Sequence, residues 1–146
     1  MPLDSIESSD GTKEPRHVWQ AMWRGFVLRC PSCGEGRLFG SFLKVRDRCP
    51  ACGEALYHQR ADDAPAYFTI VVVGHVIVGG VLAVERAFHP ENWVHAAIWL
   101  PLTLAMSLWL LPRVKGALVG LQWALRMHGF SGTGDNLDPP ATTPSA

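Results

Sequence analysis

Four cysteines carry the clearest chemistry in the chain, arranged as Cys30-Pro31-Ser32-Cys33-Gly34 and Cys49-Pro50-Ala51-Cys52-Gly53. The two CxxC pairs stand fifteen residues apart, a spacing at which four thiolates converge on one tetrahedral metal ion. A CxxC turn lets two sulfurs face the same ion while main-chain N–H groups point at them, and the glycine after each pair accepts the positive φ that closes such a turn. Four thiolates fill the shell of zinc, whereas a catalytic zinc keeps one position open. The sequence therefore predicts a structural zinc site with Cys30, Cys33, Cys49 and Cys52 as ligands. Iron accepts the same four sulfurs and stays open as the alternative. The site would carry about two negative charges, and Arg29, Arg37 and Arg48 lie near the ligands in sequence.

The other residues suited to chemistry are fewer. Asp62 and Asp63, with Arg60 beside them, precede a long apolar run. Either aspartate would cap a helix starting there, with Pro65 in its first turn; the functional alternative is a polar site at a membrane surface. His58 is read as a surface residue, because four cysteines already complete the metal shell. His75 sits within the apolar run. An ionisable group there is by default a candidate haem, copper or proton site, and its structural alternative is a neutral ring satisfied by a partner. Counting ~1.5 Å per residue from the turn near Phe88 places His75 at ~20 Å and Thr103 at ~22 Å, which makes Thr103 the expected partner.

These residues need elements to hold them. Ala64 to Val84 and Asn92 to Pro112 are twenty-one residues each without a charge, divided only by Glu85-Arg86-Ala87-Phe88-His89-Pro90-Glu91. A helix needs about 20 apolar residues to cross a bilayer, so the pair predicts a transmembrane hairpin over 61–112, with spans of about 65–86 and 92–111. Of the thirteen Lys and Arg, nine precede the hairpin, three follow it and only Arg86 lies in the connection. That split places both ends in the cytoplasm and the turn outside. His75, Gly79 and Ala83, with Gly80 beside them, are expected to make one face, and His95, Trp99, Thr103 and Ser107 another.

Segment 30–60 reads as a zinc ribbon with short strands near 37–39 and 42–48, too small to fold without its metal. Disulfides and a redox CxxC are disfavoured by the reducing compartment and by the matched pairs. On either side stand amphipathic segments. Residues 16–29 place Val18, Met22 and Phe26 on one stripe with Trp19 and Trp23 beside it, predicting an interfacial helix or one packed on the cysteine module. Residues 113–129 carry Val114, Ala117, Leu118, Leu121 and Leu125 as a stripe, predicting a second such helix bent away near Pro112 and stopped at Gly129. It either lies at the interface or docks on the helix around Trp19 and Trp23. Arg16, Arg24, Arg113 and Lys115 are the candidate interfacial basic residues. The start, 1–15, is acidic with no cationic lead into an apolar core, and reads as a disordered arm rather than a cleaved signal; 130–146, with Pro139-Pro140, reads as a disordered tail.

Four motifs in order then carry a resemblance: the paired Cys-Pro-x-Cys-Gly elements; Gly36-Arg37-Leu38-Phe39 with Phe42-Leu43-Lys44; Asp62-Asp63-Ala64-Pro65-Ala66-Tyr67-Phe68-Thr69; and Leu111-Pro112-Arg113-Val114-Lys115-Gly116-Ala117. Over about residues 19–130 the chain resembles the bacterial membrane family catalogued as domain of unknown function 983. The resemblance implies a small inner-membrane protein with a zinc-ribbon head. It brings no assigned activity, and it suggests a role in the biogenesis of respiratory haem-copper oxidases.

The expected fold class is thus a mainly α membrane protein, a two-helix hairpin with an N-terminal four-Cys ribbon and flanking amphipathic helices. No nucleophile with a nearby base is evident, so a non-enzymatic interaction or assembly factor is expected, in contact with the bilayer and with a membrane or cytoplasmic protein, a respiratory-complex component among the candidates, and with self-association left open. A metal- or proton-handling role through Asp62, Asp63 or His75 is the first alternative. Nucleic-acid binding through Arg29, Arg37, Lys44, Arg46 and Arg48 is the second, weakened by the lack of a stacking platform beyond Phe39 and Phe42.

Overall fold

A computed structural model describes residues 15–59, 63–127 and 129–130. The expected arm and tail lie outside these residues apart from Pro15 and Phe130, as do Arg60 and Asp62. The elements in order are α1 (Val18–Phe26), β1 (Phe39–Ser41), β2 (Lys44–Val45), α2 (Ala64–Phe88) and α3 (Asn92–Ala124). Two of the helices, α2 and α3, are long and apolar enough to cross a membrane.

The hairpin forms as its composition requires. α2 begins at Asp63, the residue preceding its first turn, with Pro65 tolerated where an N–H would be unpaired anyway. The Asp63 side chain, however, makes no capping hydrogen bond, which corrects the expectation where it falls on Asp63; Asp62 lies outside the described residues. At the other end His89 adopts a left-handed conformation (φ 46°) and Pro90 follows, so the chain reverses within three residues.

α3 differs from expectation. It runs unbroken for 33 residues to Ala124 with Pro101 and Pro112 inside it, so the helix expected over 113–129 is the upper part of α3 and not a separate element bent away. A proline costs the helix one hydrogen bond, but packing outweighs it here: Gly116, Val119, Gly120 and Trp123 beyond Pro112 are all buried. The helix also stops before Gly129. Arg126 takes a left-handed φ of 56°, and the N–H groups of Arg126 and Met127 close back onto the carbonyls of Trp123 and Gln122. Phe130 is buried with Ala21, Trp123 and Ala124, which corrects the boundary of the expected tail.

The burial beyond Pro112 comes from α1. Ala21 and Gly25 face Gly120 and Gly116, so the two helices meet through an Ala-x-x-x-Gly stripe against a Gly-x-x-x-Gly stripe. A β-carbon on Gly25 would overlap the carbonyl of Gly116, and one on Gly120 that of Ala21, so the approach is main chain against main chain. The pairing is antiparallel. Of the two placements open for the stripe after Pro112, docking on the helix around Trp19 and Trp23 is observed. α1 ends after nine residues when Leu28 turns left-handed (φ 65°), and Arg29 N–H bonds the carbonyl of Arg24. That turn points the chain into the first cysteine pair.

The head between α1 and α2 carries a two-stranded antiparallel sheet, β1 with β2, plus bridges Arg29 with Arg37 and Arg48 with Ala55. Its core is Cys30, Leu38, Val45, Cys49 and Leu56, completed by Val119 from α3. A ribbon of this size cannot bury enough by itself, and α3 supplies what it lacks.

Candidate metal centre

Both cysteine turns have the same local build. Gly34 N–H bonds the carbonyl of Cys30 at 2.9 Å and Gly53 N–H that of Cys49 at 3.0 Å, with φ of 74° and 76° at the two glycines. Within each turn a main-chain N–H points at sulfur: Glu35 to Cys33 Sγ and Ala51 to Cys49 Sγ, both 3.4 Å. Gly36 completes the enclosure, since a β-carbon there would overlap Cys49 Sγ.

The four sulfurs all lie within 4.8 Å of one another. Cys30 Sγ to Cys52 Sγ is 3.8 Å and Cys33 Sγ to Cys49 Sγ is 3.7 Å. A tetrahedron with arms of ~2.3 Å, the zinc–thiolate distance, has edges of about 3.8 Å. The donor set therefore fits a four-coordinate ion, and these separations are far longer than a disulfide bond of ~2.05 Å. Cys30 and Cys49 are buried, Cys33 is half-buried and Cys52 is exposed. Burial raises the Cys30 thiol well above its ordinary range despite N–H groups from Cys33 and Ser32, and burial likewise raises Cys52. At Cys33 burial also pushes upward, but N–H groups of Gly36 and Glu35 and the neighbouring thiols outweigh it and bring the group down to about 7. A bound cation would hold all four as thiolates.

The centre is locked to the helices by three side chains, Lys115, Arg24 and Trp123. Lys115 Nζ donates to the carbonyl of Leu43 at 2.7 Å, satisfying the β1–β2 turn where Leu43 itself is left-handed (φ 59°). Arg24 Nη1 donates to the carbonyls of Ser32 (2.7 Å) and Pro31 (3.2 Å) inside the first cysteine turn. Trp123 Nε1 donates to Glu54 just after the second, at 3.0 Å. Arg16 ties α1 to the end of α3, donating to the carbonyl of Trp123 at 2.7 Å and stacking 4.1 Å over its ring. Three of the four basic residues expected at a lipid interface thus fasten protein to protein. The fourth, Arg113, folds onto its own helix, donating to the Trp109 carbonyl at 3.0 Å and covering the Trp109 ring.

The remaining sequence candidates are not brought together. Asp63 lies exposed at the foot of α2 and Asp62 is outside the described residues. His75 does not meet Thr103. Its ring is exposed on α2 and donates from Nδ1 to the carbonyl of Val71 at 2.7 Å, while Thr103 Oγ1 donates to the carbonyl of Trp99. Counting along the axes gives heights but not directions. The face of α2 that meets α3 carries Thr69, Val73 and Gly80, with the Trp99 ring seated against Gly80, whereas His75 and Gly79 point away. His58 is half-buried between Tyr57 and Phe130, and the metal-ligating cluster does not include it.

A polar chain at the hairpin turn escaped the sequence reading. Trp99 Nε1 donates to His95 Nδ1 at 3.0 Å, which leaves Nε2–H to donate to Glu85 at 3.0 Å, and His89 approaches Glu85 at 3.7 Å. Glu85 and His95 each stand five residues from Pro90, the middle of the observed turn, so counting from Pro90 instead of Phe88 pairs them.

The arrangement defines a class: a metal-ribbon head fixed on a helical hairpin with two candidate membrane spans. Comparison with known proteins gives the family. Residues 39–123 match the family model described as "Protein of unknown function (DUF983)", and the chain belongs to that family. No curated protein and no solved structure matches it.

Proposed function

We propose that the chain is an integral membrane protein whose four-thiolate site holds structural zinc, and that it acts as a membrane-tethered interaction or assembly factor in the bacterial inner membrane, with both ends cytoplasmic. The observation that carries this reading is the closed sulfur tetrahedron in a head bolted to α3 through Lys115 and Trp123 and to α1 through Arg24. A metal with four protein ligands leaves no position for substrate, and its contribution is to hold the head's shape. The continuous α3 then transmits that shape to the membrane as a fixed orientation. Outward of α1, Trp19 and Trp23 are 79% and 58% exposed, beside Phe26 and Met22; such an apolar surface is what an interacting protein buries.

Affinity isolation from gently solubilised membranes tests the proposal. The wild-type chain should bring down a defined membrane or cytoplasmic protein that Trp19→Ala/Trp23→Ala loses at equal abundance. A respiratory-complex component among the captured proteins would support the oxidase-biogenesis role that the family resemblance suggests. Isolation of the chain alone, or of the same proteins with and without the tryptophans, would count against an interaction role through this face.

A further inference from the structure

Two contacts fix the direction in which the ribbon points along α3. Its core, with Leu38 and Val45, packs on Val119, while the carbonyl of Leu43 in the β1–β2 turn receives Lys115, one helical turn closer to the apolar run that ends at Pro112. The tip of the ribbon therefore reaches toward that run. Lys115 follows Pro112 by three residues, ~4.5 Å of helix, and long side chains on a helix lean toward its N-terminus, which on α3 is the direction of the run. The β1–β2 turn thus stands within about 5 Å of the boundary. Asn92 to Pro112 measures ~31 Å along its axis, which matches a hydrocarbon core ~30 Å thick, and the headgroup layer beyond that core is ~5–8 Å deep.

The residues of this turn do not suit water. Turns ordinarily take Gly, Asn, Asp or Pro, whereas here Phe42 and Leu43 join the strands, Leu43 in a left-handed conformation (φ 59°) and Phe42 59% exposed. Local turn chemistry gives way in this manner where a position has another task. The end of α1 comes down to the same level: Gly25 faces Gly116, and Val27, exposed just past the helix end, lies closer still to the boundary. We infer that this rim of the head, Phe42 with Val27, is set into the headgroup layer of the bilayer. The inference rests on α2 and α3 spanning that bilayer. A phenyl ring gains by leaving water and has no hydrogen bond to lose, and Lys44 beside it is exposed, able to hold its ammonium outward while its stem lies along the apolar zone. The head is then held at two points, through α3 and through its own rim, which fixes its tilt on the membrane. Trp19 stands clear of lipid: Ala21 faces Gly120, eight residues or ~12 Å past Pro112, and Trp19 lies further out.

The test uses the full chain in nanodiscs of phosphatidylcholine, with a photocrosslinking side chain at one position and lipid adducts read by intact-protein mass spectrometry. Three variants are compared at normal metal content: Leu104→benzoylphenylalanine, exposed in the middle of the α3 span, Phe42→benzoylphenylalanine and Trp19→benzoylphenylalanine. Lipid adducts should form at 104 and 42 and be absent at 19. A second arm leaves the chain unaltered and places a diazirine near the headgroup of the lipid; segment 38–44 should take up label, and Phe42→Ser should lose it. Adduct at 104 without adduct at 42, or an unaltered chain whose segment 38–44 stays unlabelled, overturns the rim contact and leaves the spanning hairpin standing. Adduct at 19 equal to that at 42 overturns it too, because height would then not decide contact. Absence of adduct at 104 refutes the spanning hairpin and the rim contact with it.

Discussion

Adding a single methyl group to Gly116 should pry the head from the hairpin. In a helix interior Gly→Ala ordinarily stabilises by about 0.5–1 kcal/mol, because alanine loses less conformational freedom on folding. At Gly116 the new β-carbon would overlap the carbonyl of Gly25, a main-chain group that no side-chain rotation can move aside. The helices must separate, at a cost typical of core overpacking, about 1–3 kcal/mol. Separation also loosens neighbours that no solvent reaches, Val119 under the ribbon and Ala21 against Trp123. Gly79 supplies the internal control. It too lies within a helix, but nothing stands within 4 Å of its added β-carbon, so Gly79→Ala should be neutral or stabilising. Denaturant titration of both variants in one detergent, followed by tryptophan fluorescence, reads the difference, and limited proteolysis between 27 and 60 reports release of the head. Equal stability of Gly116→Ala and Gly79→Ala would refute the reasoning, since the α1–α3 contact would then not be the close main-chain approach described.

Three further outcomes follow from the same geometry. Cys49→Ser should abolish metal binding and make segment 30–56 protease-sensitive while the hairpin stays inserted; a metal-free protein with a resistant head would contradict the coupling of metal to folding. Because Thr103 bonds a carbonyl of its own helix and His75 does the same on α2, Thr103→Val and His75→Leu should each change stability by less than about 0.6 kcal/mol and leave complementation intact at equal abundance, whereas a folded but inactive His75→Leu protein would move the chain toward metal or proton handling. Reporter fusions after Asn136 should be cytoplasmic and one inserted at His89 external; an external C-terminus would reverse the orientation inferred from the lysine and arginine distribution.

What could be read from the sequence divides by the range of the interaction. The thiolate cluster was legible because CxxC spacing fixes two sulfurs locally and four cysteines leave no choice of partners. The hairpin was legible because twenty-one uncharged residues have few other uses. Helix rotation was not. Height along an axis follows from counting, but the side of α2 that faces α3 is chosen by packing of Thr69, Val73 and Gly80. Pro112 was expected to bend the helix because a proline does so when little else holds the chain; Gly25 and Gly116 docking on each other holds it. The Ala-x-x-x-Gly and Gly-x-x-x-Gly stripes stand in the sequence at 21, 25, 116 and 120, and setting them side by side would have shown α1 on α3. Arg16, Arg24 and Lys115 looked like lipid anchors by composition, and only the folded chain reveals the carbonyls that receive them.

The central claim, a closed metal site that shapes a head and catalyses nothing, is tested most directly by X-ray absorption at the zinc edge on the purified full chain. Four sulfur scatterers at ~2.3 Å with no nitrogen or oxygen in the shell, at one zinc per chain, is the predicted spectrum. A shell with a light atom in the fourth position would mean an open metal and a reactive one, and would contradict the account.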